Sequence, residues 1–294
     1  MEAPLLRVLK VSRLQHILDA MLLAALERKG RKLRRSDVPI IAARVNDEVG
    51  HEIAVQGYYE RDLLSAIATF LIPRAIPDAG SAIAVDVGAN IGNHSIFFSR
   101  YFENVIAVEP NPNAAALLKA NLDANSITNV KMMCVGLSDE TGTLPFVEHR
   151  FNLGASRFRP DEQGSDRHHA VLPVIKGDEA IASMGLTRRI ALIKIDAEGF
   201  ERRVVLGLKE TLGKHAPVVL FEALNGKAAV EVADALAANG YRYFYNLDRR
   251  RVQTSSVWFR RVYRLIVGSN LYFQQLVHFG DWVHPLIVAT VSPI

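Results

Sequence analysis

Val85-Asp86-Val87-Gly88-Ala89-Asn90-Ile91-Gly92 decides how the rest of the chain is read. It closes a short apolar run, Ile83–Val87, and opens onto a helical pattern. Gly88 and Gly92 allow a sharp turn and a close approach of the backbone to a ligand. Seventeen residues beyond Gly92 the next apolar run ends in Ile106-Ala107-Val108-Glu109-Pro110. A carboxylate at the end of that second run can accept hydrogen bonds from both ribose hydroxyls of a nucleoside ligand. A glycine turn with an acidic second strand marks a nucleotide-type cofactor site at the carboxyl edge of a sheet. The spacing is G-x-x-x-G and not the G-x-G-x-x-G of a dinucleotide site, and Ser95 stands where another glycine would. Asp86 lies inside the motif, where its charge repels a pyrophosphate and suits a cationic ligand. S-adenosylmethionine has a sulfonium, an α-amino group and no phosphate, so the electrostatics favour it over NAD.

Outward from this motif, short apolar runs alternate with helical patterns. The runs are Ile83–Val87, Val105–Val108, Val130–Val135, Ile190–Ile195, Val218–Phe221, Tyr241–Tyr245 and Leu286–Val291. Helical spacing occupies Ser95–Phe102, Asn113–Asn125, Phe200–Leu208 and Lys227–Asn239, with Gly240 placed to close the last. Continuous apolar strands between helices predict an α/β protein with a parallel sheet covered on both faces. Residues 138–180 read as an insert of mixed strand and loop, with strand-like pieces Leu144–Val147 and Val171–Ile175. Residues 249–284 form an aromatic and basic insert, suited to a lid over the acceptor or to a core element.

Residues 1–44 read as an N-terminal extension ahead of a domain spanning 45–294. Val11, Leu14, Leu18, Met21, Leu22 and Ala25 fall on one face of an amphipathic helix over 5–29, with Gly30 as its stop. A second helix is expected from about Glu60 to Leu71, ending before Pro73.

The 294 residues are 49% hydrophobic and 22% charged, which excludes bulk disorder. Cys134 is the single cysteine, so neither an internal disulfide nor a Cys-rich zinc site can form. No apolar run reaches the ~18–20 residues of a membrane-spanning helix, and a cytosolic protein is the expectation. The net charge of +4 conceals an asymmetry. Residues 1–44 carry ten Lys/Arg against four Asp/Glu, residues 249–294 carry six Arg against one Asp, and the middle is acidic. The basic helical extension suits peripheral contact of residues 1–35 with an anionic membrane surface, or a second subunit in a homo-oligomer.

The chemistry is sought in Lys194-Ile195-Asp196-Ala197-Glu198-Gly199. Alternation along a strand puts Lys194, Asp196 and Glu198 on one side, and ionisable residues ending an apolar strand are costly to bury unpaired. Asp196 or Glu198 is a candidate general base and Lys194 a stabiliser of developing negative charge, with a structural Lys–Asp pair as the alternative. Glu222 ends the next strand and is a further candidate, either for a substrate hydroxyl or for a cap or salt bridge. His94, in the first turn after the glycine motif, is a candidate base or a packing residue. No H-E-x-x-H or C-x-x-C spacing indicates a metal.

Four pieces together resemble the FkbM-type S-adenosylmethionine-dependent methyltransferases: Val85–His94, Ala107–Asn111, Asn152–Ser156 and Leu192–Glu201. The phrase KID-x-EG-x-E in the last is the most family-specific, and Gly57-Tyr58-Tyr59-Glu60 adds to the likeness. The resemblance implies a class I methyltransferase fold, Rossmann-like, with a seven-stranded, mostly parallel sheet whose last strand inserts antiparallel. By resemblance Asp86, Gly88, Asn90, Gly92 and Glu109 would line the S-adenosylmethionine site. Ser138 and Asp139 would lie near the adenine, and Asn152 would bind the substrate or the catalytic carboxylates. The implied reaction is methyl transfer to a hydroxyl of a small molecule or glycan, a sugar or a polyketide-type acceptor. An amino-methylating D/N-P-P-Y/F motif is missing from its slot, and acidic residues suit a nucleic-acid backbone badly. A non-catalytic adaptor that uses its basic ends, and an NAD-linked oxidoreductase, are the competing readings. Residues 1–45 and 249–284 have no clear counterpart in the family.

Overall fold

The apolar runs Ile83–Val87, Val105–Val108, Ile190–Ile195 and Val218–Phe221 become strands buried on both faces. The computed structural model describes residues 13–33, 38–44, 47–149, 153–159, 169–249, 271–281 and 283–294. Its strands are β1 Ile83–Val87, β2 Asn104–Val108, β3 Val130–Met133, β4 Gly136–Ser138, β5 Gly142–Val147, β6 Arg157–Phe158, β7 His169–Lys176, β8 Ile190–Ile195, β9 Val218–Ala223, β10 Tyr243–Arg249, β11 Leu271–Gln275 and β12 His284–Thr290. The helices are α1 Arg13–Leu33, α2 Glu48–Gln56, α3 Arg61–Ala66, α4 Ile72–Ala75, α5 Asn93–Phe98, α6 Pro112–Ala124, α7 Gly177–Ser183, α8 Glu201–Gly207, α9 Lys209–His215 and α10 Gly226–Ala237.

The main sheet has the order β11-β10-β12-β9-β8-β1-β2-β3. Strands β3, β2, β1, β8 and β9 run parallel. β12 inserts antiparallel between β9 and β10, as the resemblance implied. The seven expected strands are joined by an eighth, β11, from the far end of the aromatic insert. Alternate residues feed two apolar layers. Ile83, Val85, Val87, Ile106 and Val108 pack in one, and Ala84, Val105 and Leu220 in the other.

Three local expectations are corrected. The run Val130–Val135 ends as a strand at Met133, and the next strand, β4, lies beyond it and joins a second sheet of order β4-β7-β5-β6 with the strands of the first insert. Gly30 does not end α1, since a glycine inside a helix costs only about 1 kcal/mol and the helix runs on to Leu33. Pro73 does not end the second helical stretch either. A π-helical turn, Ile67–Leu71, intervenes and Pro73 falls in the first turn of α4, where a missing N–H is tolerated.

The sheet order reverses between β1 and β8, with β2 on one side and β9 on the other. Such a switch point leaves a crevice beyond the strands' carboxyl ends, where α/β folds bind ligands. The sequence motifs end on it.

Candidate active site

The loop after β1 requires three left-handed residues in five: Gly88 (φ 79), Asn90 (φ 49) and Gly92 (φ 91). Its backbone is pinned on three sides. The Gly88 and Ala89 N–H groups both donate to Val108 O, at 3.0 Å each. Asn90 N–H donates to Glu109 Oε2 at 2.8 Å, and Asn111 N–H donates to Glu109 Oε1 at 2.8 Å. Asn121 Nδ2 donates to Ile91 O at 2.8 Å and also holds Ala42, tying residues 38–44 to the same loop. The glycines serve the protein's own close packing. A Cβ on Gly88 would lie 1.7 Å from Asp196 O, and one on Gly92 would lie 2.3 Å from Leu118 Cδ1.

Glu109 is buried, and burial pushes its carboxyl up to about 7 against the two backbone donors. The second anchor is Lys194, buried in β8 directly across from Asp86 in β1. Its Nζ lies 3.4 Å from Asp86 Oδ1 and 3.2 Å from Asp196 Oδ2. Asp86 Oδ2 also accepts from Ser95 Oγ at 2.6 Å. Burial disfavours the Lys194 charge, but Asp196 and Asp86 outweigh it and hold the lysine protonated. Burial raises Asp196 as well, yet Lys194, a hydrogen bond from Glu222 and nearby His94 hold it below the ordinary carboxylate value. Glu222 takes the opposite course. Burial, then the Asp196 charge and the shared hydrogen bond, push it up to about 9. At neutral pH the cluster therefore holds an ammonium, a carboxylate and a protonated acid side by side. Burial and the charges of Asp196 and Glu201 push Glu198 up to about 7.

One cleft of about 230 Å³ is lined from one wall by Gly88, Asn90 and Glu109 and from another by Lys194, Asp196, Glu198, Glu222 and His94. A smaller recess adjoins it, lined by Tyr59, Glu60, His94, Lys194, Asp196 and Glu222 among others.

The family model described as the methyltransferase FkbM domain matches residues 86–243, more than half of the chain. The chain belongs to the FkbM methyltransferase family. Methyltransferase sdnD of Sordaria araneosa is 30% identical over 156 residues, 43% of this chain and 60% of that protein. Methyltransferase 1 of Beauveria bassiana (strain ARSEF 2860) is 21% identical over 178 residues, 54% of this chain and 72% of that protein. Among solved structures, methyltransferase FkbM from Methylobacillus flagellatus KT is 15% identical, over 75% of this chain and 54% of that one, with a TM-score of 0.43. That overlay is too slight to add to the fold described above.

Not every residue implied by the family likeness reaches the cleft wall. Asp86 sits behind it, holding Lys194. Gly92 packs on Leu118. Ser138 is buried in β4, where its Oγ donates to Asp139, and Asp139 is held by Arg203 at 2.6 Å. Gly136 and Leu137 face the cleft instead. Asn152 lies outside the described residues, although its neighbours Leu153, Gly154 and Ser156 line the cleft.

Other residues take roles that spacing alone did not assign. Glu201, the last residue of the KID-x-EG-x-E phrase, accepts from Ala197 N–H and Gly199 N–H at 3.0 Å each. It thus builds the turn that carries Asp196 and Glu198, whose left-handed Glu198 (φ 51) and Gly199 (φ 96) need such support. Asn93 grips Tyr59 by both backbone groups, accepting from its N–H at 2.9 Å and donating to its O at 3.0 Å. This grip sets Tyr59 and Glu60 over the cleft, and Glu60 Oε2 lies 3.4 Å from His94 Nε2. The likeness at Gly57–Glu60 was the available signal, but the latch itself joins residues 34 positions apart.

Proposed function

We propose that this protein moves the methyl group of S-adenosylmethionine onto a hydroxyl oxygen of a small molecule or glycan. The observation that carries the reading is the meeting of the Glu109 loop and the Lys194–Asp196–Glu222 cluster in one cleft. The residues suit the cofactor. Glu109 has one backbone donor on each oxygen, which leaves lone pairs for two ribose hydroxyls. Asn90 Oδ1 is buried with no partner among the described residues, and a ligand hydroxyl or ammonium would satisfy it. When bound, S-adenosylmethionine supplies an electrophilic methyl group on a positively charged sulfur.

The chain supplies the rest. Asp196, ionised and beside the cleft, accepts the hydroxyl proton as the acceptor oxygen attacks. Lys194 keeps Asp196 ionised and opposes the negative charge that develops on that oxygen. Glu222, protonated, donates to Asp196 and presents a second hydroxyl-binding group. Carboxylates around the recess favour a neutral, hydroxylated acceptor over a phosphate backbone.

Calorimetric titration with S-adenosylhomocysteine and, in parallel, with NAD tests the cofactor. Binding of the first alone is expected, and binding of NAD alone would overturn the assignment. Asp196→Asn is expected to keep that affinity and to lower turnover on a panel of hydroxylated acceptors by ~10²–10⁴-fold. Full turnover in this variant would remove Asp196 as the base.

A further inference from the structure

The proposed chemistry leaves α1 without a task, and α1 is the most unusual surface among the described residues. Ile17, Leu18, Met21, Leu22, Leu23 and Leu26 are 40–66% exposed. Scattered apolar side chains are ordinary on a protein surface, but a contiguous group of this kind marks an interaction site. At 3.6 residues per turn Ile17, Met21, Leu18, Leu22 and Leu26 cover roughly 180° of the helix circumference, and the exposed Asp19 stands at that edge, between Leu26 and Leu23. That span is wider than the ~100° stripe a helix presents to a protein core. Directly after them come Arg28, Lys29, Arg31 and Lys32, all exposed. The acid among them, Glu27, lies 3.6 Å from Arg31 and offsets one charge.

We infer that α1 docks this protein on an anionic lipid bilayer. The apolar girth of residues 17–26 enters the boundary between headgroups and acyl chains, and the cations of residues 28–32 meet the lipid phosphates. Charge and shape both favour lipid over a second copy of the chain. Two α1 helices side by side in parallel would bring their basic clusters together, and either orientation would leave much of the apolar girth uncovered. The helix is not long and apolar enough to cross a membrane, so it lies along the surface. α1 packs on α2, whose Glu48 and Val49 line the catalytic cleft, so the docked helix is joined to the site through one element.

Co-sedimentation of the full chain with vesicles tests this. Binding is expected to mixed phosphatidylglycerol–phosphatidylcholine vesicles and not to phosphatidylcholine alone, and it is expected to weaken as salt is raised. Leu22→Glu abolishes it, while Lys29→Ala and Lys32→Ala each weaken it roughly fivefold. The melting temperature stays at the wild-type value in all three, because the side chains are exposed. No sedimentation with either vesicle, equal sedimentation with both, or retained binding in Leu22→Glu would overturn the inference. A dimer in sedimentation equilibrium that Leu22→Glu dissolves would also overturn it and assign the face to a second copy of the chain.

Discussion

Lowering the pH from about 8 to about 6 is expected to weaken S-adenosylhomocysteine binding about tenfold, and Glu109 sets that size. Its carboxyl is pushed up to about 7 by burial. A group with that pKa is about 90% ionised at pH ~8 and about 10% ionised at pH ~6. The ionised form is the one able to accept from both ribose hydroxyls while it keeps the Asn90 and Asn111 N–H groups. The apparent Kd therefore rises as the inverse of the ionised fraction, about tenfold or ~1.4 kcal/mol. The sign for the empty protein is opposite. A carboxyl raised above its ordinary value of 4.5 takes up a proton on folding, so its contribution to stability grows as pH falls from 7 towards 4.5. The assay is calorimetric titration across this range on the wild type and on Glu109→Gln. The variant places an amide against two backbone donors, leaves one of them unsatisfied, and loses affinity at pH ~8 by about 1–3 kcal/mol. Its pH slope is expected to flatten. An unchanged slope in Glu109→Gln would refute the ribose role of Glu109 and point to Glu198, which titrates in the same range.

Two further substitutions probe the scaffold. Gly88→Ala forces a methyl group into Asp196 O at a left-handed position, and strain plus steric displacement are expected to cost about 3–5 kcal/mol, read as a lowered melting temperature. Melting at the wild-type temperature would mean that the β1 loop and the β8 turn are not packed as described. Glu201→Ala leaves the Ala197 and Gly199 N–H groups without their acceptor, and about 1–3 kcal/mol of stability is expected to go with it. Because the loosened turn carries Asp196, turnover falls while S-adenosylhomocysteine affinity stays near wild type. Intact turnover would show that the turn does not depend on Glu201.

Much of the fold was legible because its signals are local. A run such as Ile190–Ile195 has apolar side chains on both faces, which only a doubly covered strand can bury. The left-handed Gly240 after α10 is likewise written in adjacent residues. Boundaries were less legible where tertiary packing outweighed propensity. Gly30 and Pro73 read as stops and are crossed, and the strand expected over Val130–Val135 stops at Met133. The candidate site divides in the same way. Glu109, Lys194, Asp196, Glu198 and Glu222 could be picked out as carboxylates and a lysine ending apolar strands, and all five line the cleft. Asp86 and Glu201 carry equally plain motif positions, yet one braces Lys194 and the other braces a turn.

The amino-acid sequence by itself determined the alternation of strands and helices, the glycine turn and the carboxylates at strand ends, because each depends on the chemistry of neighbours along the chain. Tertiary structure alone decided which of those charges meet. Asp86 faces Lys194 because β1 lies beside β8 across a reversal of strand order, and Glu222 reaches Asp196 because β9 lies next. That proximity, with burial, holds the Asp196 carboxyl ionised and pushes its neighbour Glu222 towards the protonated form. Spacing along the chain carries no information about such distances, since they follow from how separate strands are ordered in the sheet.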